Sequence, residues 1–381
     1  MQKILLIVIY IGELPWYFSL FYNSCIMNKS VDFLFVGDEL DGLTQSDNII
    51  IKKVGLSDFN SLASDKLNLD INIKKAYKIC DFRPAFGEIF AEYTEGYDFW
   101  GYCDCDIVLG NIRNFITDDI LDNFDYISAK PEYPSGFFSL FKNSQTMNRL
   151  YRTSDYFEAI FQSDENCMFD ECAGLYEDVI LGRNILDIEH NLDSLHHLLV
   201  RNEEEINPLF EFFSIEGLPG DVRYNNGVLS YKGEYEVLLY HLSDYKKNIL
   251  TEKKYLNPSK TFFISKYKIY TGSFNPAVLG NLKDNWAVMK FNLSSKIDRI
   301  LTKLSPDQPI KIENGTYSYM HQCIDIDKDK FRLHTINGSI YKSVLFKDYY
   351  YLDSINSYLS KNEFGIDLIE KNGHVTFFQK R

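Results

Sequence analysis

At 381 residues the chain exceeds one average domain, and 45% hydrophobic with 15% aromatic residues is enough apolar material to exclude disorder. A formal charge of −14 argues against nucleic acid as a partner, because phosphate binding needs a basic surface. Seven cysteines without regular short spacing give no disulfide framework and fit a reducing cytoplasm. No stretch approaches the roughly 20 apolar residues of a membrane span, so any membrane contact is peripheral, at the inner face of the cell membrane.

Lys3 to Tyr10 is, after the lysine, a continuous apolar run rich in β-branched residues, the pattern of a parallel strand buried on both faces. No small-residue cleavage site follows it, so it reads as a first strand rather than a leader. Ile11-Gly12-Glu13-Leu14-Pro15 is the loop at its C-terminal edge, Trp16 to Met27 a helix, and Val31 to Val36 a second strand ending at Gly37-Asp38. Strand, helix, strand is a βαβ unit with a right-handed crossover. Ile49 to Val54 is a third strand.

Tyr77-Lys78-Ile79-Cys80-Asp81-Phe82-Arg83-Pro84 precedes a helix with Phe86, Ile89, Phe90 and Tyr93 on one face, and Pro84 suits its first turn. Lys78, Asp81 and Arg83 at that helix start are placed either to meet a ribose and a diphosphate, with the helix dipole favouring the anion, or to form a surface ion-pair set.

The densest signal follows: Tyr97-Asp98-Phe99-Trp100-Gly101-Tyr102-Cys103-Asp104-Cys105-Asp106-Ile107-Val108-Leu109-Gly110. A buried aromatic strand ends in two carboxylates one residue apart, at the sheet edge where open α/β folds bind ligands, and such a pair can hold a hard divalent cation. The other Asp-x-Asp, Asp325-Ile326-Asp327, sits in a Lys-rich stretch without calcium-loop spacing and reads as a solvated turn.

Asn111 to Leu121 reads as helix, Tyr126 to Ala129 and Phe137 to Phe141 as strands, Ser144 to Phe161 and Tyr176 to Leu186 as helices. Gly136 in the turn between the two strands is either a point of close backbone approach or a plain turn glycine. Asp170-Glu171 is an acidic pair, a candidate general base or a helix-starting pair favoured by the dipole. His190, His196 and His197 lack a third ligand at useful spacing and are discounted as a metal set. Tyr224-Asn225-Asn226-Gly227-Val228 signals a hairpin, and Glu236 to Tyr240 is a strand that delivers His241.

From about Asn248 lysines crowd in and short β-prone runs follow, with hairpin turns at Asn337-Gly338 and Asn372-Gly373 and helical patterns over Ser294 to Leu304 and Tyr349 to Leu359. Residues 249–381 therefore form a small α+β accessory domain of unknown role.

The Tyr77–Pro84 and Tyr97–Asp106 segments, Gly136-Phe137-Phe138-Ser139-Leu140-Phe141-Lys142-Asn143 and the late His241 resemble a bacterial family of GT-A glycosyltransferases from surface-polysaccharide gene clusters, of capsule and lipopolysaccharide type. The resemblance covers residues 1–248 and implies an α/β, Rossmann-like GT-A domain, mostly parallel in its sheet and flanked by helices. It implies a hexosyl-type transfer from a nucleoside diphosphate sugar, a UDP-sugar, to a glycan or lipid-linked glycan acceptor with Mn2+ or Mg2+. Asp106 then binds the metal, Asp104 the metal or the donor ribose, and His241 closes the shell. The loop at Tyr10, Ile11 and Gly12, with Asp38 on the neighbouring strand, cradles the nucleoside. Lys78 with Lys246 or Lys247 adds positive charge, Asp81 and Arg83 complete the donor site, and Asp170 or Glu171 deprotonates the acceptor hydroxyl if the reaction inverts. The glycine and Pro-Trp that accompany the late lysine in glycogenin-like relatives are missing here.

Two other readings use the same residues. A nucleotidyltransferase also holds magnesium on paired aspartates, but no Gly-rich phosphate loop is present. A non-catalytic carbohydrate-binding or scaffold protein would not need Asp104, Asp106 and His241 intact.

Overall fold

The structure is a computed structural model that describes residues 1–211, 213–256, 260–271 and 284, together with the backbone of eight strands between Gly315 and Lys380. The chain forms two compact units. One comprises Met1–Glu216, Val222–Leu242 and Lys254–Phe262; the other comprises Gly217–Asp221, Ser243–Lys253 and Phe263–Arg381.

The first unit is built on strands β1 (Ile4–Ile9), β2 (Asp32–Gly37), β3 (Ile49–Lys53) and β4 (Phe99–Cys103), joined by helices α1 (Phe18–Met27) and α2 (Leu56–Leu67). After β5 (Ile107–Leu109) come β6 (Tyr126–Ser128), β7 (Phe138–Lys142), β8 (Pro208–Phe210) and β9 (Ser214–Ile215). Then follow β10 (Val222–Asn225), β11 (Val228–Tyr231), β12 (Tyr235–Glu236) and β13 (Leu239–His241).

Seven strands make the main sheet in the order β3-β2-β1-β4-β7-β6-β8. All neighbours run parallel except at β7, which is antiparallel to both β4 and β6. This is a mostly parallel α/β sheet flanked by helices. Leu5 and Ile7 of β1 join one apolar cluster while Ile4, Leu6 and Val8 join the other, so period-2 alternation buries both faces. Trp100 of β4 stacks on Phe141 of β7 at 4.4 Å, which fastens the one antiparallel pairing beside the acidic lip.

Several helical patterns break into shorter pieces. The expected Ser144 to Phe161 helix is Gln145–Asn148, a 3-10 turn Leu150–Thr153 and Phe157–Gln162. Tyr176–Ile180 stops before Gly182, whose φ of 82° is left-handed, and a 3-10 turn Ile185–Asp187 follows. The segment Ala76–Ala85 is a 3-10 run, with Pro84 inside it, ahead of the short helices Phe86–Ile89 and Ala91–Thr94. Between β10 and β11, Asn226 and Gly227 both take positive φ, 49° and 91°, as a type I′ hairpin turn requires.

In the second unit eight strands, from Gly315–Tyr319 to Val375–Lys380, form a closed antiparallel barrel. Tyr317 opposite Lys380 and Ser318 opposite Gln379 close it. The strands that flank Asn337-Gly338 and Asn372-Gly373 pair as expected, and the turns themselves lie outside the described residues. Tyr349 to Leu359 is not a helix: Tyr349–Leu352 and part of Ser357–Lys361 are strands paired with each other, in keeping with the strand preference of tyrosine. Asp325 and Asp327 likewise lie in the strand Gln322–Asp327 rather than a turn. The expected helix at Ser294 to Leu304 lies outside the described residues.

Candidate functional site

β4 carries the chain out of the main sheet at its C-terminal edge, and the turn 104–106 passes it to β5, which joins a separate three-stranded sheet in the order β5-β13-β9. β13 runs antiparallel to β5 with His241 opposite Ile107, and the Leu242 N–H donates to the Asp106 carbonyl at 2.8 Å. That register sets His241 beside Asp106. One ligand atom from each of Asp104, Asp106 and His241 lies within 4.8 Å of the others. Two carboxylates and an imidazole are a donor set that fits a divalent cation.

His241 is held on every side. Its Nε2 lies 3.5 Å from Asp106 Oδ2, its Nδ1 donates to Glu216 Oε1 at 3.0 Å, and the Phe137 ring lies 4.3 Å from the imidazole. Burial disfavours its protonation, but hydrogen bonds to Asp106 and Glu216 outweigh this and push its pKa up to about 9. Burial likewise works against the Glu216 anion, yet His241 and Lys130 draw its carboxyl down to about 2. Tyr17, at the start of α1, belongs to the same neighbourhood: burial first, then the charges of Cys105 and Asp106, hold its phenol well above the usual range.

Arg83 links the lip to the second acidic pair. Its guanidinium pairs with Asp104 and, at 2.7 Å, with Asp170 Oδ2, and it lies 5.2 Å from the Tyr102 ring centre. Glu171 accepts from the Gly136 N–H at 3.1 Å and from the Tyr176 hydroxyl. A Cβ on Gly136 would come within 2.5 Å of Glu171 Oε1, so the close backbone approach is real. Burial raises both carboxyls, opposed by Arg83 at Asp170 and by the Tyr176 hydroxyl at Glu171.

The residues expected on the nucleoside side, Tyr10, Ile11, Gly12 and Asp38, also converge. The Gly12 N–H donates to Asp38 Oδ1 at 2.7 Å, the Tyr10 N–H bonds the Val36 carbonyl at 2.9 Å, and Ile11 packs against the core. Lys78 and Asp81 do something other than face a ligand. Lys78 Nζ pairs with Asp81 Oδ2 at 2.7 Å with both side chains buried, and it donates to the Glu165 carbonyl; Asp81 accepts the N–H groups of Cys167 and Phe169 at 2.8 Å each. They pin the 165–169 loop that leads into Asp170. Lys246 and Lys247 end the helix Ser243–Lys247 in the second compact unit. His196 and His197 are buried on the helix Leu195–Arg201.

Sequence reasoning missed Glu216, Lys130, Phe137, Tyr17 and Tyr176. Tyr17, Phe137 and Tyr176 lie in segments already singled out; Glu216 stands 25 residues before His241 with no local pattern to mark it.

A model of a family described as "Family of unknown function (DUF6625)" matches residues 6–276. The chain belongs to this family. The family match thus spans the main sheet, the acidic lip and β13. No curated protein matches the chain. Among solved structures, mouse xyloside xylosyltransferase 1 in its apo form is 10% identical, with 63% of this chain and 97% of that one covered and a TM-score of 0.35. The galactosyltransferase LgtC in complex with donor and acceptor sugar analogues is 12% identical, with 63% and 86% covered and a TM-score of 0.30. The apo glycosyltransferase GlyE of Streptococcus pneumoniae TIGR4 is 10% identical, with 56% and 46% covered and a TM-score of 0.25.

Proposed function

We propose that the chain is a metal-dependent glycosyltransferase that moves a sugar from a nucleoside diphosphate donor, a UDP-sugar, to a glycan or lipid-linked glycan of a surface polysaccharide. The observation that carries this reading is the meeting of Asp104, Asp106 and His241 at the C-terminal edge of the α/β sheet, with the buried Asp170 joined to them through Arg83. In this reading residues 1–248 are the catalytic domain, working in the cytoplasm, and residues 249–381 are accessory.

Asp104, Asp106 and His241 would hold Mn2+ or Mg2+, which would supply charge stabilisation for the leaving diphosphate. The loop at Tyr10, Ile11 and Gly12, tied to Asp38, receives the nucleoside at the edge where doubly wound sheets bind ligands. Arg83 is already paired with Asp170, which leaves Glu171 to take the acceptor proton in an inverting transfer.

Calorimetric titration of UDP, GDP, CMP and their common sugars, with Mn2+ and with chelator, on wild type and Asp106→Ala tests the reading. It expects one nucleotide class to bind only with Mn2+, and only to wild type. Metal-independent binding, or no binding of any donor, would overturn it.

A further inference from the structure

We propose that Glu216 and Lys130 are positioning residues that aim His241 at the metal, an inference that rests on the metal-centre reading and adds two residues to it. The small sheet provides the alignment. β9 pairs parallel with β13, Ser214 opposite Leu239 and Ile215 opposite Tyr240, so the next position, Glu216, falls beside His241. β5 flanks the other side of β13 with Ile107 opposite His241, which sets Asp106 one residue beyond. Asp106, His241 and Glu216 thus end three adjacent strands of one sheet.

The side chains complete what the register begins. Glu216 Oε1 accepts from His241 Nδ1 at 3.0 Å, so with a cation bound the remaining proton stays on Nδ1 and Nε2 offers its lone pair on the Asp106 side. Lys130 Nζ holds the other Glu216 oxygen at 2.6 Å. It is itself fixed 5.1 Å from the Tyr133 ring centre, and its side chain is 16% exposed. Phe137 restrains the imidazole against tilting. A carboxylate behind a ligating histidine fixes tautomer and ring orientation, and removing one costs roughly 10–100-fold in metal affinity.

The test is Mn2+ binding alone, read by electron paramagnetic resonance of free Mn2+ on the full chain without donor, for wild type, Glu216→Ala, Glu216→Gln and Lys130→Met. Glu216→Ala should weaken Mn2+ by about 10–100-fold, and Glu216→Gln, which keeps an acceptor oxygen for Nδ1–H, should recover most of that loss. Lys130→Met should weaken it by less, about 3–10-fold. A merely structural Glu216 would lower the melting temperature without this order, and Gln would not rescue. Should Glu216→Ala fail to fold, the Lys130→Met loss carries the test, and unchanged Mn2+ affinity there overturns the proposal. Equal binding by wild type and Glu216→Ala overturns the relay while the metal centre stands. If wild type does not bind Mn2+, the metal-centre reading falls and the relay with it.

Discussion

The 3-10 run Ala76–Ala85 sends its charges to two different ends. Lys78 and Asp81, with side chains 1% and 0% exposed, satisfy each other and the 165–169 backbone; Arg83 reaches Asp104, which is 34% exposed at the lip. In the first pair every charge is met by a fixed group, so a ligand has nothing to gain there. In the second, Asp104 is also within ligand-sharing distance of Asp106 and His241, and a cation can compete for it. Charge near an active edge is not evidence of ligand binding until its partners are counted.

The sharpest way to break that contrast is Asp81→Ala. It strands the Lys78 ammonium and two loop N–H groups in the interior, and should cost about 3–5 kcal/mol in denaturant unfolding. Mn2+ affinity should stay near wild type provided the chain is folded. Normal stability with lost Mn2+ binding would move Asp81 to the metal end of the comparison.

Next in size is a buried group with no such partner. His196 is 9% exposed, its Nδ1 has no hydrogen-bond partner among the described residues, and burial, then the neighbouring His197 charge, lower its pKa to about 4. Its folded value lies below the unfolded one of 6.5, so its contribution is full above pH 6.5 and is lost as pH falls toward 4. The loss should reach at most about 3 kcal/mol, and His196→Leu should flatten the pH dependence of the unfolding midpoint over that window. An unchanged slope would show that the imidazole is not buried as described.

The smallest effect belongs to the open end. Gly136→Ala drives a methyl into Glu171 Oε1 and should cost about 1–3 kcal/mol of stability by overpacking. Donor binding should survive while transfer to acceptor falls, because Glu171 is displaced. Equal losses in both would separate Glu171 from the acceptor step.

How much of this could be read from the chain depends on whether the cause is local. β1 and β4 announce themselves as continuous apolar runs because both faces are buried, and Asn226-Gly227 announces its turn through backbone chemistry. Asp104 and Asp106 stand out at the end of a buried aromatic strand, whereas His241 is named only beside them and through the family resemblance. α2 had a readable signal that went unused: Phe59, Ala63 and Leu67 recur at four-residue spacing behind Gly55, with Asp58 accepting the Gly55 N–H at 3.0 Å. The reversal of β7, the Arg83–Asp170 pair and the Glu216–His241 bond were not legible, because each joins segments distant in sequence through the sheet. The Tyr349 to Leu359 pattern misled because its spacing fits either period, and aromatic β-preference decided.

The most direct measurement is anomalous diffraction at the manganese edge from crystals grown with Mn2+ and UDP. The account predicts one strong peak at coordination distance from Asp104, Asp106 and His241, with the diphosphate beside it and the base near Gly12 and Asp38. Ordered UDP with no peak there, or a manganese peak elsewhere, would contradict it.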